Sequence, residues 1–204
     1  MPFDATTIAV YDAYANEYAA RPVPKSSWNA LKFFCAKLAP GARVLDLGCG
    51  AGWASEEMQR RGFDVHSLDA SSKLAALASP KLRRPVMVKT FDAVGSDMQF
   101  DGVFACHALP HVPKDKVPTI LSIIASAMRE NAVLYACFPS GDGDMRDRLG
   151  RYYAMYQAEE VLALFERQPS LKFSSLRTES IEDDFGSPQI LFGVFARKTS
   201  SKSH

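Results

Sequence analysis

The chain has 204 residues, 47% hydrophobic and 23% charged, enough for one globular domain with a short appendage and too ordinary in composition for a disordered, collagen-like or disulfide-scaffold protein. Lys and Arg total 24 against 23 Asp and Glu, a formal net charge of +1, so no global attraction to nucleic acid is expected. Cys35, Cys49, Cys106 and Cys137 form no C-x-x-C pair and have no histidine at zinc-finger spacing, so no metal site is expected.

The opening MPFDATTIAVYDAY has neither a basic start nor an apolar run of signal-peptide length. No stretch approaches the roughly 20 apolar residues that a membrane span needs, and a cytoplasmic setting without a membrane partner is the expectation. Helical character appears over 7–20, where Tyr11, Tyr14 and Tyr18 lie three and four apart. From Arg43 onward short apolar runs alternate with segments of helical period. Strands are predicted over 43–47, 64–68, 85–91, 100–106, 132–138, 171–177 and 189–196, and helices over 53–61, 71–79, 114–129 and 157–167. In the third of these helices Val117, Ile120, Leu121, Ile124 and Met128 share one face, Pro118 sits in the first turn, and Asn131 is placed to end it in the left-handed region.

Strand and helix in alternation imply a parallel sheet covered on both faces. The last two strands are joined by a polar stretch with Gly186 and Pro188 instead of a helix, so they pair antiparallel at a sheet edge. The expected class is α/β: a seven-stranded Rossmann-like doubly wound sheet, mostly parallel with an antiparallel last strand. All of 1–204 reads as a single domain, with first helices in 1–42, an α/β core over 43–198 and a frayed tail over 199–204.

The strongest chemical signal is VLDLGCGAG at 44–52, a buried strand running into G-x-G-x-G and then a helix. Glycines let the backbone turn sharply and approach a ligand without a Cβ in the way, and a helix start offers N–H groups to negative charge. A nucleotide-like cofactor is expected across this turn. The dinucleotide fingerprint needs G-x-G-x-x-G, and its third position falls on Trp53, where close helix packing wants a small residue. That counts against a nicotinamide-dependent oxidoreductase, which stays as the alternative. Asp46, Asp69 and Asp92 follow at three consecutive strand ends. Each alone has a reading as a turn or cap residue; together, beside a glycine loop, they mark a ligand site outside the carboxyl ends of parallel strands. Asp69 stands where a ribose hydroxyl is bound and Asp92 where an adenine amino group could donate.

On these residues the chain resembles the class I S-adenosylmethionine-dependent methyltransferases, in the small-molecule group that includes ubiquinone/menaquinone-biosynthesis-type and tellurite-resistance-type enzymes. VLDLGCGAG at 44–52 is similar to the group's first motif, Asp69 to its second acid, FDA at 91–93 to its adenine site, and FDGVFACHALPHVP at 100–113 to its fourth motif. The likeness runs from YDAYANEYAAR at 11–21 to FGVFARK at 192–198. It implies S-adenosylmethionine as cofactor and methyl transfer by in-line displacement to a small-molecule acceptor. It also implies that Asp46 helps to hold the methionine amino group, that Gly48, Cys49 and Gly50 wrap the methionine portion through their backbone, and that Asp69 binds the ribose. Ala70 would pack on adenine, Asp92 with Ala93 would read its edge, and the Cys106 carbonyl would lie near the amino acid end. Tyr11 and Tyr18 would belong to a lid helix, with Arg21 just beyond it near the cofactor carboxylate.

In displacement at a sulfonium the cofactor supplies the reactivity and the protein aligns the partners, so a dedicated base is optional. His107 and His111 follow the fourth strand, near where an acceptor approaches. His107 is the candidate catalytic residue, since imidazole titrates in a suitable range, with loop orientation as the competing reading; His66, inside the second strand, reads as structural. CHALP at 106–110 lacks the Pro-Cys order of RNA cytosine-5 methyltransferases, and the same place lacks the (N/D)-P-P-(Y/F) of amine methyltransferases. SGDGDMRDRLGRYYAMY at 140–156 reads as a mobile cover whose Arg146, Arg148 and Arg151 could meet an anionic substrate, or as a solvated loop whose charges balance. A non-catalytic S-adenosylmethionine-binding partner protein is a third reading. With no length left for a recognition domain, a small acceptor is favoured over a polymer.

Overall fold

Arg43–Leu47 (β1), Asp64–Asp69 (β2), Met87–Val88 (β3), Phe100–Ala105 (β4) and Met128–Pro139 (β5) lie parallel in one sheet. Two short strands, Asp144–Arg146 (β6) and Tyr152–Ala154 (β7), form a separate hairpin, and Leu171–Glu182 (β8) and Pro188–Lys198 (β9) complete the main sheet in the order β3-β2-β1-β4-β5-β9-β8. This computed structural model describes residues 3–182 and 186–199. β9 is antiparallel to both neighbours. The last two strands thus pair antiparallel at one edge of the sheet as expected, with β9 inserted between β5 and β8 and β8 outermost.

The helices are Ala5–Ala13 (α1), Ala15–Ala19 (α2), Lys25–Cys35 (α3), Trp53–Arg60 (α4), Ser72–Leu82 (α5), Val117–Ser126 (α6) and Ala158–Glu166 (α7). Side chains alternate between the two faces of each strand. Leu45, Leu47, Val103 and Leu134 pack against Ile120, Leu121 and Ile124 of α6, whereas Val44, Val65, Phe104 and Tyr135 pack against Leu31 and Phe34 of α3 and Met58 of α4. With both faces covered, consecutive residues of β1, β4 and the second half of β5 are buried, and each fully buried Leu, Val or Phe contributes about 1.5–3 kcal/mol.

Three predicted elements differ, each for a visible reason. The helix expected over 7–20 is two helices: Asp4 caps the first by accepting the Thr7 N–H at 2.7 Å, and Tyr14 breaks the run with φ −110° and ψ 26°. The helix expected over 114–129 ends at Ser126, because buried Met128 pairs with Phe100 and opens β5. Asn131 does adopt φ 64°, within a bulge of β5 and not as a helix cap. The strand expected over 85–91 shrinks to Met87–Val88, since β2 ends at Asp69 and leaves nothing further to pair with; residues 91–93 form a 3-10 turn, so Asp92 is not at a strand end. The expected tail falls mostly at 200–204, outside the described residues; Thr199 is tied back through its N–H to the Ser170 carbonyl at 3.1 Å. Among the described residues no helix is long and apolar enough to cross a membrane.

Candidate cofactor site

The loop after β1 folds back onto the end of β2. Gly48 and Cys49 donate their N–H groups to the Leu68 carbonyl at 2.8 and 3.0 Å, and Gly50 donates to Asp69 Oδ2 at 2.7 Å. Gly48, Gly50 and Gly52 hold φ of 74°, 55° and 88°, a conformation that costs a residue with a Cβ about 1–2 kcal/mol. Gly48 is also required by space, because a Cβ there would stand 2.7 Å from the Ala108 Cβ. The amides of Gly48, Cys49 and Gly50 are thus engaged with β2.

The start of α4 carries the chain's own acid. Asp46 accepts from Ser55 Oγ at 2.6 Å, and Ser55 Oγ lies 2.7 Å from Ser67 Oγ. Burial pushes the Asp46 carboxyl up to about 7, with the nearby Asp69 adding to the shift. Asp46 therefore lies beneath the loop and not on the wall of the cavity above it.

That cavity is floored by Gly48, Gly50 and Asp69 and roofed by Thr7, Tyr11 and Tyr18 from α1 and α2. Asp69 accepts the Ser71 N–H at 2.8 Å on Oδ1 and Gly50 on Oδ2. A carboxylate offers about four lone-pair sites, so two remain for hydroxyls. Burial raises its pKa. Beyond it Ala70, Leu74, Thr90 and Phe91 form a flatter, mostly apolar end, with Phe3 edge-on to Phe91 at 5.4 Å between ring centres. At the other end Cys106, His107, Ala108 and His111 follow β4.

The roof is tied down by specific polar contacts. Asp12 of α1 accepts from Ser71 Oγ at 2.6 Å and from the Lys73 N–H at 3.0 Å, which caps α5. Tyr11 Oη lies 2.8 Å from His111 Nε2, and His111 Nδ1 lies 2.8 Å from the Tyr152 carbonyl. A carbonyl can only accept, so Nδ1 carries the hydrogen and Nε2 accepts from Tyr11. Tyr18 meets the Tyr11 ring edge-on at 5.1 Å and covers Gly50.

The β6–β7 hairpin completes the cover: Tyr152 donates its N–H to Thr7 Oγ1 at 2.8 Å, and Arg146 pairs with Asp4 at 2.7 Å. Arg151, 2% exposed, bonds Asp147 at 2.6 Å and reaches Tyr11 Oη at 3.4 Å. Two of the three arginines singled out in 140–156 therefore fasten the cover and are already paired with acids.

Of the residues named from sequence, the structure gathers Tyr11, Tyr18, Gly48, Gly50, Asp69, Ala70, Cys106 and His107 around the cavity. Arg21, Asp46, Cys49, Asp92 and Ala93 are off its wall. Arg21 stacks over Tyr18 at 5.5 Å, Cys49 packs with Ala75 and Leu82, and Asp92 accepts from Thr90 Oγ1 at 2.6 Å on the exposed side, with Phe91 facing inward. His107 adopts φ 58°, and its Nε2 lies 3.0 Å from Ser27 Oγ. Sequence reasoning missed Asp4, Thr7 and Ser71; the D-x-x-T spacing of the first two is the pattern of a helix cap and its partner. Asp69 stands on the wall with no Lys or Arg, whereas Asp4, also on the wall, is already paired with Arg146. Such a wall suits a cationic or neutral ligand and gives a pyrophosphate no counter-charge.

Comparison with known proteins agrees with this geometry. A family model described as a methyltransferase domain matches residues 11–172. The ubiquinone biosynthesis O-methyltransferase of Xanthomonas campestris is 29% identical over 146 residues, covering 65% of this chain and 60% of that protein. The chain thus spans about 60% of the length of that curated relative. In fold it is similar to the 1,6-didemethyltoxoflavin-N1-methyltransferase of Burkholderia thailandensis, solved with 1,6-didemethyltoxoflavin and S-adenosylhomocysteine, at TM-score 0.74 and 20% identity over 96% of this chain and 88% of that one. It is likewise similar to the magnesium protoporphyrin IX methyltransferase of Synechocystis PCC 6803 with bound S-adenosylmethionine, at TM-score 0.67 and 18% identity over 92% and 96%. Since the matched span covers most of the chain, from Tyr11 in the roof through the glycine loop and the whole turn after β4, the chain belongs to the methyltransferase domain family.

Proposed function

We propose that the protein transfers the methyl group of S-adenosylmethionine to a small-molecule acceptor. The observation that carries the reading is the acidic wall: Asp69 beside the glycine loop, with no Lys or Arg on the lining. The cofactor would supply an electrophilic methyl on a sulfonium whose positive charge disappears in the displacement. Everything else is alignment and exclusion of water by this chain.

In this reading Asp69 holds the ribose hydroxyls, and Ala70, Leu74 and Phe91 bracket the adenine, with Asp92 and Ala93 at its outer edge. The backbone of Gly48, Cys49 and Gly50 with the Cys106 carbonyl receives the methionine end. Asp46 acts from beneath the loop, its negative charge favouring the cofactor's ammonium, and Arg21 lies on the far side of Tyr18. Tyr11 and Tyr18 close the roof. His107 stands at the acceptor end, where an imidazole can take a proton from a hydroxyl, thiol or amine. His111 is unsuited to that task, because burial lowers its pKa to about 4.

The relatives support a small acceptor: one is named for ubiquinone biosynthesis and one is solved with 1,6-didemethyltoxoflavin. Free thiols at Cys35, Cys49, Cys106 and Cys137 fit a reducing, cytoplasmic setting. Calorimetry with S-adenosylhomocysteine and with NAD tests the reading. Binding of the first at one site per chain and no binding of the second is expected; the reverse result would establish the oxidoreductase alternative. Cofactor binding with no methyl donor consumed against a panel of phenols, thiols, amines and carboxylates would leave a cofactor-binding partner protein.

A further inference from the structure

We propose that Cys106, His107 and Cys137 form a site for a thiophilic divalent cation, zinc foremost, with a fourth position open to the cofactor cavity. The ligands come from two neighbouring strands. Ala105 of β4 is in register with Ala136 of β5, so the next residues, Cys106 and Cys137, present their side chains on the same face of the sheet. The left-handed backbone of His107, at φ 58°, turns the chain so that its N–H donates to Cys137 Sγ at 3.0 Å. A residue with a Cβ held in that conformation is a strained feature that clusters at functional sites.

The two sulfurs and a ring nitrogen of His107 all lie within 4.8 Å of one another, the one such His/Cys/Asp/Glu group of three among the described residues. A tetrahedral zinc at about 2.3 Å from sulfur and 2.0 Å from nitrogen sets its ligand atoms roughly 3.5–3.8 Å apart. Small side-chain rotations suffice to close the set.

Charge favours an ion here. Two thiolates and one neutral imidazole balance a divalent cation, which makes a buried, neutral unit. Loading converts both thiols to thiolates and releases their two protons to solvent, with no electrons exchanged. With Nδ1 as the ligating nitrogen, Ser27 Oγ, 3.0 Å from His107 Nε2, would be the outer hydrogen bond that fixes the ring.

Cys106 and His107 are on the cavity wall, whereas Cys137 is buried behind them, so the unfilled coordination position faces the cavity. Three protein ligands and one open position is the arrangement of a catalytic zinc site, not a structural one. Coordination of an acceptor thiol or hydroxyl there would lower its pKa so that its proton leaves to solvent; the anion would then bond to the methyl as the methyl–sulfur bond of the cofactor breaks, and the demethylated cofactor would depart as a neutral thioether. That last step rests on the methyltransferase reading, and in it His107 acts as a ligand and not as the proton acceptor.

The test uses the full, reduced, metal-free chain titrated with cobalt and zinc. Expected are one ion per chain, the visible bands of tetrahedral cobalt, and near-ultraviolet thiolate-to-cobalt charge transfer. Cys137→Ala should abolish the charge-transfer intensity yet retain S-adenosylhomocysteine affinity. Ser27→Ala, which removes no ligand, should weaken zinc about tenfold and serves if Cys137→Ala fails to fold. Absence of tetrahedral bands, or zinc affinity unchanged in Ser27→Ala and cobalt bands unchanged in Cys137→Ala, overturns the site and leaves a hydrogen-bonded thiol pair. Wild-type binding of S-adenosylhomocysteine without metal binding overturns this proposal alone; loss of the former overturns the proposed function instead.

Discussion

The Tyr11 hydroxyl of the roof donates to His111 Nε2 at 2.8 Å, across 100 residues of sequence. The direction follows from the other ring nitrogen, whose hydrogen goes to the Tyr152 carbonyl. One imidazole therefore joins three pieces of the cavity: the lid helix, the turn after β4 and the β6–β7 hairpin. Tyr11→Phe removes the donor and leaves a buried acceptor unsatisfied, a loss of about 1–3 kcal/mol. The expected result is a tenfold or greater rise in the dissociation constant for S-adenosylhomocysteine, read by calorimetry. An unchanged constant would show that roof closure does not depend on this bond.

The same histidine makes stability depend on pH. Burial, reinforced by Arg151, lowers the His111 pKa from 6.5 to about 4. Between those values the unfolded chain binds the extra proton, so stability is full above pH 6.5 and falls as pH drops toward 4, by about 3 kcal/mol in all. Asp46 works in the opposite sense: its carboxyl, raised from 3.8 to about 7, favours the folded state at low pH and loses that contribution as pH rises through 7. The two effects mask each other in the wild type alone. Urea midpoints of wild type and His111→Gln compared at several pH values isolate the histidine: wild type should lose ground to the variant as pH falls. A difference independent of pH would contradict a neutral, buried His111.

The legible parts of the molecule were those written in local pattern. β1, β4 and the second half of β5 are buried on both faces and read as short, mostly apolar runs, and G-x-G-x-G announced the turn that Gly48, Gly50 and Gly52 make. What depended on partners was not legible. Asp92 was placed at a strand end because nothing in 85–91 reveals that β2 stops at Asp69 and leaves β3 only two residues to pair. Asp46 was aimed at the cofactor because Ser55, nine positions on, is not visibly its partner until α4 turns back. Arg146 was offered to a substrate because its partner, Asp4, is 142 residues away. Cys106 and Cys137, with no metal spacing between them, became neighbours only through the β4–β5 pairing.

Asp69 carries two loads that separate experimentally. Its oxygens accept the Gly50 and Ser71 N–H groups, and in the proposed function they also receive the ribose. Asp69→Ala removes hydrogen bonds to a charged group worth about 1.5–3 kcal/mol each, so cofactor affinity should fall by 100-fold or more. It also leaves two buried amides unpaired, which lowers the unfolding midpoint. Asp69→Asn retains one oxygen and the side-chain shape and should fall between wild type and Asp69→Ala in both measurements. Full affinity in Asp69→Ala would place the ribose elsewhere.

Gly48 and Gly62 make a paired test of why the glycine loop is glycine. Both are left-handed, with φ 74° and 87°, but a Cβ on Gly62 meets nothing within 4 Å, whereas one on Gly48 meets the Ala108 Cβ at 2.7 Å. Gly62→Ala should cost only the backbone strain, about 1–2 kcal/mol, and leave cofactor binding intact. Gly48→Ala carries the same strain plus an overpacking cost of about 1–3 kcal/mol. Because Ala108 is on the cavity wall, the displaced turn should also weaken S-adenosylhomocysteine at least tenfold. Denaturant unfolding and calorimetry on the two variants read both effects. If they lose equal stability and bind equally well, the turn after β4 yields freely to the added methyl, and the glycine at 48 serves backbone conformation alone.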